Sequence, residues 1–249
     1  MVYFLGAGPG DPELITLKGK RLLENADAII YAGSLVNPAL LEYAKSGCEV
    51  FDSASMTLDE VMGIIEKYSS AGKTVVRLHT GDPSIYGAIR EQMALLDSRN
   101  MAYEQVPGVS SFSAAAAALK KEYTLPGVTQ TVILTRVEGR TGVPESESIE
   151  RLAEHKASMA IFLSVHMIDS LVDSLKKGYG GDTPVAVVFK ASWPDQRIVR
   201  GTLGNIASLV KGEGIRKTAL VLVGNFLGDE FELSKLYDRN FSHGYRSAE

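Results

Sequence analysis

Apolar residues recur along the chain in two alternating patterns. Short β-branched runs at 2–5, 28–31, 50–51, 74–78 and 103–106 have the length and composition of strands. Between them the apolar positions fall at helical spacing. Leu14, Leu17, Leu22 and Leu23 give one face, and Ile89, Met93 and Leu96 give another. Leu58, Val61, Met62 and Ile65 follow the i, i+3, i+4, i+7 pattern. Strands alternating with helices predict βαβ units around a largely parallel sheet. A helix of small residues is expected over 113–119, where five consecutive alanines suit close packing.

The segment 120–127 breaks this rhythm. It is charged, closes on a Pro-Gly turn, and reads as the link between two α/β lobes, 1–120 and 121–249. In the second lobe strands are expected at 131–135, 159–163, 185–189, 197–201 and 219–223, with helices at 149–155, 167–177 and 203–211. The link from 185–189 to 197–201 is short, which predicts an antiparallel hairpin and hence a mixed sheet. The tail from Asp229 is polar and expected to be peripheral.

Composition narrows the classes. The 249 residues are 45% hydrophobic and 22% charged, ordinary for a globular protein. The net charge of −4 disfavours a general nucleic-acid binder. The single cysteine, Cys48, makes neither an internal disulfide nor a cysteine zinc site. No apolar run has the roughly 18–20 residues of a membrane span. The chain enters a strand at once, so no signal peptide is expected and the cytoplasm is the expected location.

Three glycine-rich turns follow three strands. The first is Gly6-Ala7-Gly8-Pro9-Gly10-Asp11-Pro12. A dinucleotide fingerprint wants its third glycine where Asp11 stands, and a carboxylate there would face the phosphates. Pro9 also lacks a backbone N–H. No acidic residue closes the second strand, where Ala-Gly-Ser follows Tyr31. A nicotinamide site is therefore disfavoured, and Asp11 has an alternative as a helix cap. The second turn runs from Thr80-Gly81-Asp82-Pro83 to Gly87, and the third is Pro107-Gly108-Val109-Ser110-Ser111. None carries the lysine of a P-loop, so the ligand is expected to be small, polar and not strongly anionic. Ligands of open α/β sheets bind beyond the carboxyl ends of strands, which places all three turns on one rim.

Together G-x-G-P-G-D, G-D-P-x-x-Y-G and P-G-V-S-S resemble the tetrapyrrole methylases over essentially the whole chain. The stretches 31–38, 52–57 and 190–195 resemble the branch that methylates cobalt-precorrin-4 or precorrin-4 at C11. The resemblance implies two α/β lobes with S-adenosyl-L-methionine held between them and the macrocycle in a trough above. It implies cofactor contacts from Pro9, Gly81, Asp82, Ile85, Ser110, Ser111, Met167, Ala191, Thr218 and Ala219. S-adenosyl-L-homocysteine would be the product and a homodimer the expected assembly.

Methyl transfer from a sulfonium to an enamine-like carbon needs mainly proximity and orientation. The sequence matches this in having no Ser-His-Asp set, no Cys-His pair and no metal-ligand spacing, and no catalytic residue is assigned. A polycarboxylate substrate calls for arginine and lysine. Arg136 and Arg140 are the candidates for it, ahead of Lys120, Lys121 and Lys190. His79 precedes the second turn and reads equally as a structural histidine. Two alternatives stay open: a methylase of another tetrapyrrole position, and a non-catalytic protein that binds the tetrapyrrole or the cofactor.

Overall fold

The computed structural model describes residues 1–139 and 141–247, the Ser34 side chain set aside. The chain divides into two compact units, Met1–Ala115 with Lys190–Gln196, and Ala116–Phe189 with Arg197–Glu249.

The first unit holds β1 (Val2–Gly6), β2 (Ala28–Tyr31), β3 (Glu49–Asp52), β4 (Val75–His79) and β5 (Tyr103–Val106). They form one parallel sheet in the order β3-β2-β4-β1-β5. Alternate side chains of each strand feed two cores. Val2, Phe4, Ala28, Ile30 and Val75 pack with Val61, Met62 and Ile65 of α2 (Leu58–Ser70) and Leu96 of α3 (Arg90–Ser98). Leu5, Ile29, Val76, Leu78 and Val106 pack on the other face with Leu23 of α1 (Leu17–Asn25) and Leu40. A capping box of Thr57 and Glu60 starts α2.

The expected face through Leu14 and Leu17 is not formed. Asp11 accepts from the Glu13 amide and starts a separate 3₁₀ turn, Pro12–Leu14. Thr16 then caps α1 afresh, accepting from Gly19 N, and Leu17 is 74% exposed. Two caps in succession reset the helical phase, and only the later leucines face the core.

The second unit holds β6 (Val132–Arg136), β7 (Ser158–Phe162), β8 (Pro184–Phe189), β9 (Arg197–Thr202) and β10 (Ala219–Val223), in the order β6-β7-β10-β8-β9. Only β6 and β7 run parallel; β8 and β9 form the expected hairpin. Its core sets Met159, Ile161, Val187 and Val221 against Ile168 and Leu171 of α6 (Ile168–Leu175) and Ile206 and Val210 of α7 (Ile206–Gly212). Two further helices, α4 (Ser111–Leu119) and α5 (Ile149–Ala153), complete the set named here. The tail beyond Asp229 carries exposed apolar residues, among them Phe231, Leu233 and Tyr237.

Candidate functional site

The strand order fixes where the three turns meet. β1 lies between β4 and β5, so the turns after these strands leave adjacent strand ends. From β1 the chain passes toward β2 on one side, and from β4 toward β5 on the other. That reversal is the place where open α/β sheets bind ligands.

The turns are locked by backbone. Gly81 N donates to Gly8 O at 2.8 Å and Gly8 N to Gly81 O at 3.2 Å. Both glycines have positive φ, +78° and +61°, which side chains disfavour. A Cβ on Gly6 would lie 2.6 Å from Gly108 Cα and from Gly81 O, and one on Gly108 would lie 2.2 Å from Gly81 O. These positions are glycine because three backbones cross there.

Asp82 ties the second turn to the third. Its Oδ2 accepts from Gly108 N at 3.0 Å, and its Oδ1 accepts from Ser84 N at 2.8 Å and from the Ser84 hydroxyl. Beyond it, Tyr86 and Ala88 adopt φ of 55° and 49°, a strained conformation typical of functional loops. Ile85 is half-buried beside them, and Ser110 and Ser111 open α4, whose first amides have no partner within the helix.

A segment from far along the chain completes the rim. Residues Lys190–Gln196 belong to the first unit. Trp193 Nε1 donates to Pro9 O at 2.9 Å, and Asp11 N donates to Ser192 Oγ at 3.0 Å. The indole lies against Gly10 so closely that a Cβ there would be 2.0 Å from Trp193 Cδ1. Lys190 sits over the indole ring at 5.0 Å from its centroid and pairs with Asp195 at 2.7 Å. This strap brings Ala191, buried, to the same unit as Pro9, Gly81, Asp82, Ile85, Ser110 and Ser111. It also removes the Asp11 amide from any phosphate cradle.

The other expected residues lie in the second unit. Met167 ends a 3₁₀ turn, Val165–Met167, ahead of α6. Thr218, with φ 54°, leads into β10, where Ala219 pairs with Phe189. Arg136 ends β6 and donates to Thr141 O at 3.1 Å and Gly142 O at 3.0 Å, bracing its own loop. Arg140 lies outside the described residues.

Sequence reasoning missed Ser192 and Trp193 as anchors, and Arg77 altogether. Arg77 and His79 lie on the α2–α3 face of β4 and are buried. Burial lowers the Arg77 guanidinium pKa to about 10. Burial, helped by the Arg77 charge, pushes His79 down to about 3, so its ring is neutral in ordinary conditions. A charge inside the apolar run VVRLH was the available signal.

The floor of the rim is backbone from three turns, tied by the Asp82 carboxylate and by the Trp193 and Ser192 side chains. No guanidinium or ammonium group in the three turns awaits a pyrophosphate.

Fold and rim together define an α/β protein with three interlocked glycine turns at the switch point of a parallel sheet. The family model of the tetrapyrrole (corrin/porphyrin) methylases matches residues 1–207, and the chain belongs to that family. It is 58% identical to the cobalt-precorrin-4 C(11)-methyltransferase of Methanocaldococcus jannaschii, over 99% of this chain and 96% of the relative. The X-ray structure of a cobalamin biosynthetic enzyme, cobalt precorrin-4 methyltransferase, superposes with a TM-score of 0.89 at 49% identity, covering 92% of this chain and 96% of that one. Uroporphyrin-III C-methyltransferase from Thermus thermophilus, complexed with S-adenosyl homocysteine, superposes with a TM-score of 0.75 at 28% identity, covering 91% and 98%.

Proposed function

We propose that the protein is an S-adenosyl-L-methionine-dependent C-methyltransferase that methylates cobalt-precorrin-4, or metal-free precorrin-4, at C11 in cobalamin biosynthesis. The observation that carries this reading is 58% identity, over 99% of the chain, with a relative of that named activity, together with the three interlocked glycine turns.

S-adenosylmethionine supplies the methyl group as a substituent of a positive sulfonium, already activated for transfer. The chain's own task is to hold, orient and exclude water. Gly6, Gly8, Gly81 and Gly108 let the backbones of the three turns meet in contact. Asp82 fixes the second turn against the third through the Gly108 amide. Pro9, Gly81, Asp82, Ile85, Ser110, Ser111 and Ala191 are the proposed cofactor residues of the first unit; Met167, Thr218 and Ala219 are proposed through the family resemblance. Arg136 and Arg140 are proposed for substrate carboxylates, which suit guanidinium pairing. No general base is assigned, because orientation alone supplies roughly 7–11 kcal/mol in well-oriented reactions.

The lobes are proposed as 1–120 and 121–249, and the working form as a cytoplasmic homodimer, which sedimentation tests directly. The reaction is tested by incubating the protein with cobalt-precorrin-4 and S-adenosylmethionine and weighing the product. A gain of one methyl group is expected; an unchanged mass with S-adenosylhomocysteine bound would leave a binding protein.

A further inference from the structure

A cavity of about 290 Å³ opens at the carboxyl ends of β2, β3 and β4, between α2 and α3. It is several times the roughly 30 Å³ share of one water molecule. Leu35, Met56 and Val61 give it apolar walls; Arg77, His79 and Thr80 give it a polar end.

That polar end is incomplete by itself. Arg77 is 7% exposed, and among the described residues its guanidinium makes two hydrogen bonds: Nε to Gln92 Oε1 at 3.3 Å and Nη1 to Ile30 O at 3.2 Å. A guanidinium has five N–H donors. No carboxylate contributes to its titration, and burial alone is the cause of its shift. His79 is 4% exposed, and its Nε2 has no hydrogen-bond partner. Buried polar groups in folded proteins are normally satisfied, and an isolated buried charge is costly. On one strand, two residues apart and lining one cavity, lie a guanidinium with donors to spare and an imidazole nitrogen without a partner among the described residues. Glu91 also lines the cavity, from an exposed position on α3, and forms no ion pair with Arg77 among the described residues.

We propose that this cavity receives one carboxylate arm of the tetrapyrrole, with Arg77 as its counter-charge and His79 Nε2–H as a second donor. The apolar walls suit the methylene stem of such an arm, and the buried cation suits its carboxylate. The assignment rests on the methylase reading and adds a specificity pocket in the first unit. A free anion such as acetate or phosphate shares the chemistry of the polar end but lacks a stem for the walls.

The test uses the full chain saturated with S-adenosylhomocysteine for binding and with S-adenosylmethionine for kinetics. Nitrogen NMR of labelled histidine follows the His79 ring, identified by its loss in His79→Phe. Arg77→Met and His79→Phe are compared by KM for cobalt-precorrin-4. His79→Phe keeps an aromatic ring beside Phe4, which His79 now faces at 6.2 Å between centroids, and removes an unpaired polar atom. This variant therefore keeps the test open if Arg77→Met fails to fold.

The expected result is a His79 shift on adding the tetrapyrrole, and a KM raised by about tenfold or more with S-adenosylhomocysteine affinity unchanged. Wild-type KM in folded variants would overturn the proposal. A shift caused by millimolar acetate or phosphate, with KM untouched, would also overturn it and make the cavity a free-anion site. A His79 shift with the tetrapyrrole but no methyl transfer by the wild type would support the pocket and defeat the methylase reading instead.

Discussion

Replacing Gly10 by alanine isolates the strap that holds the first glycine turn. The new Cβ would stand 2.0 Å from Trp193 Cδ1 and 2.2 Å from Nε1, so the indole must leave. Its departure breaks the 2.9 Å bond to the Pro9 carbonyl and the Lys190 contact over the ring. A lost hydrogen bond costs about 1 kcal/mol, and more when a buried carbonyl is left bare. The cation–π contact adds about 0.5–1 kcal/mol. The sum is roughly 2–3 kcal/mol. In a Trp193→Ala background the obstacle is gone. Gly10 does not lie in the positive-φ region, so alanine there is tolerated and stabilises by about 0.4–1 kcal/mol through the unfolded chain. Urea denaturation of the four proteins of this cycle therefore shows a coupling of about 2 kcal/mol or more. Calorimetry with S-adenosylhomocysteine shows weaker binding in Gly10→Ala, because the Pro9 turn loses its anchor. Equal costs for Gly10→Ala in both backgrounds would refute the strap.

Three further outcomes follow from the site. Asp82→Ala leaves the Gly108 and Ser84 amides without their acceptor; it costs about 1–3 kcal/mol in urea denaturation and weakens S-adenosylhomocysteine binding, and unchanged values of both would remove Asp82 from the site. His79 titrates at about 3 in the fold against an ordinary 6.5, so the unfolded chain binds the extra proton between these values. Its contribution is complete above about pH 6.5 and fades as pH falls toward 3, and His79→Phe flattens that part of the stability curve; parallel curves would contradict the burial argument. Arg136→Ala raises KM for the tetrapyrrole while sparing cofactor affinity, and normal kinetics in that variant would sink its assignment.

Much of the frame was readable in the sequence because its signals are local. β-branched runs between turn residues marked the ten strands named above, and the short link after Phe189 marked the β8–β9 hairpin. The phase of the first helix was not readable, since Asp11 and Thr16 are both good caps and periodicity alone does not choose between them. The three glycine turns could be placed on one rim by the rule of strand ends. Their locking needed the order β4-β1-β5, a long-range property. The strap was hidden for the same reason: Trp193 meets Pro9 across 184 positions of sequence. Arg77 was overlooked because an arginine within an apolar run averages out in a hydrophobicity pattern, whereas burial makes it the most unusual charge in the first unit.

The proposed reaction is methyl transfer to one carbon of a corrin precursor. The most direct measurement is carbon NMR of the product formed from cobalt-precorrin-4 and S-adenosylmethionine labelled in its methyl group. A single enriched methyl signal attached at C11 is the predicted result. Enrichment at any other ring position, or none from protein shown to bind the cofactor, would contradict it.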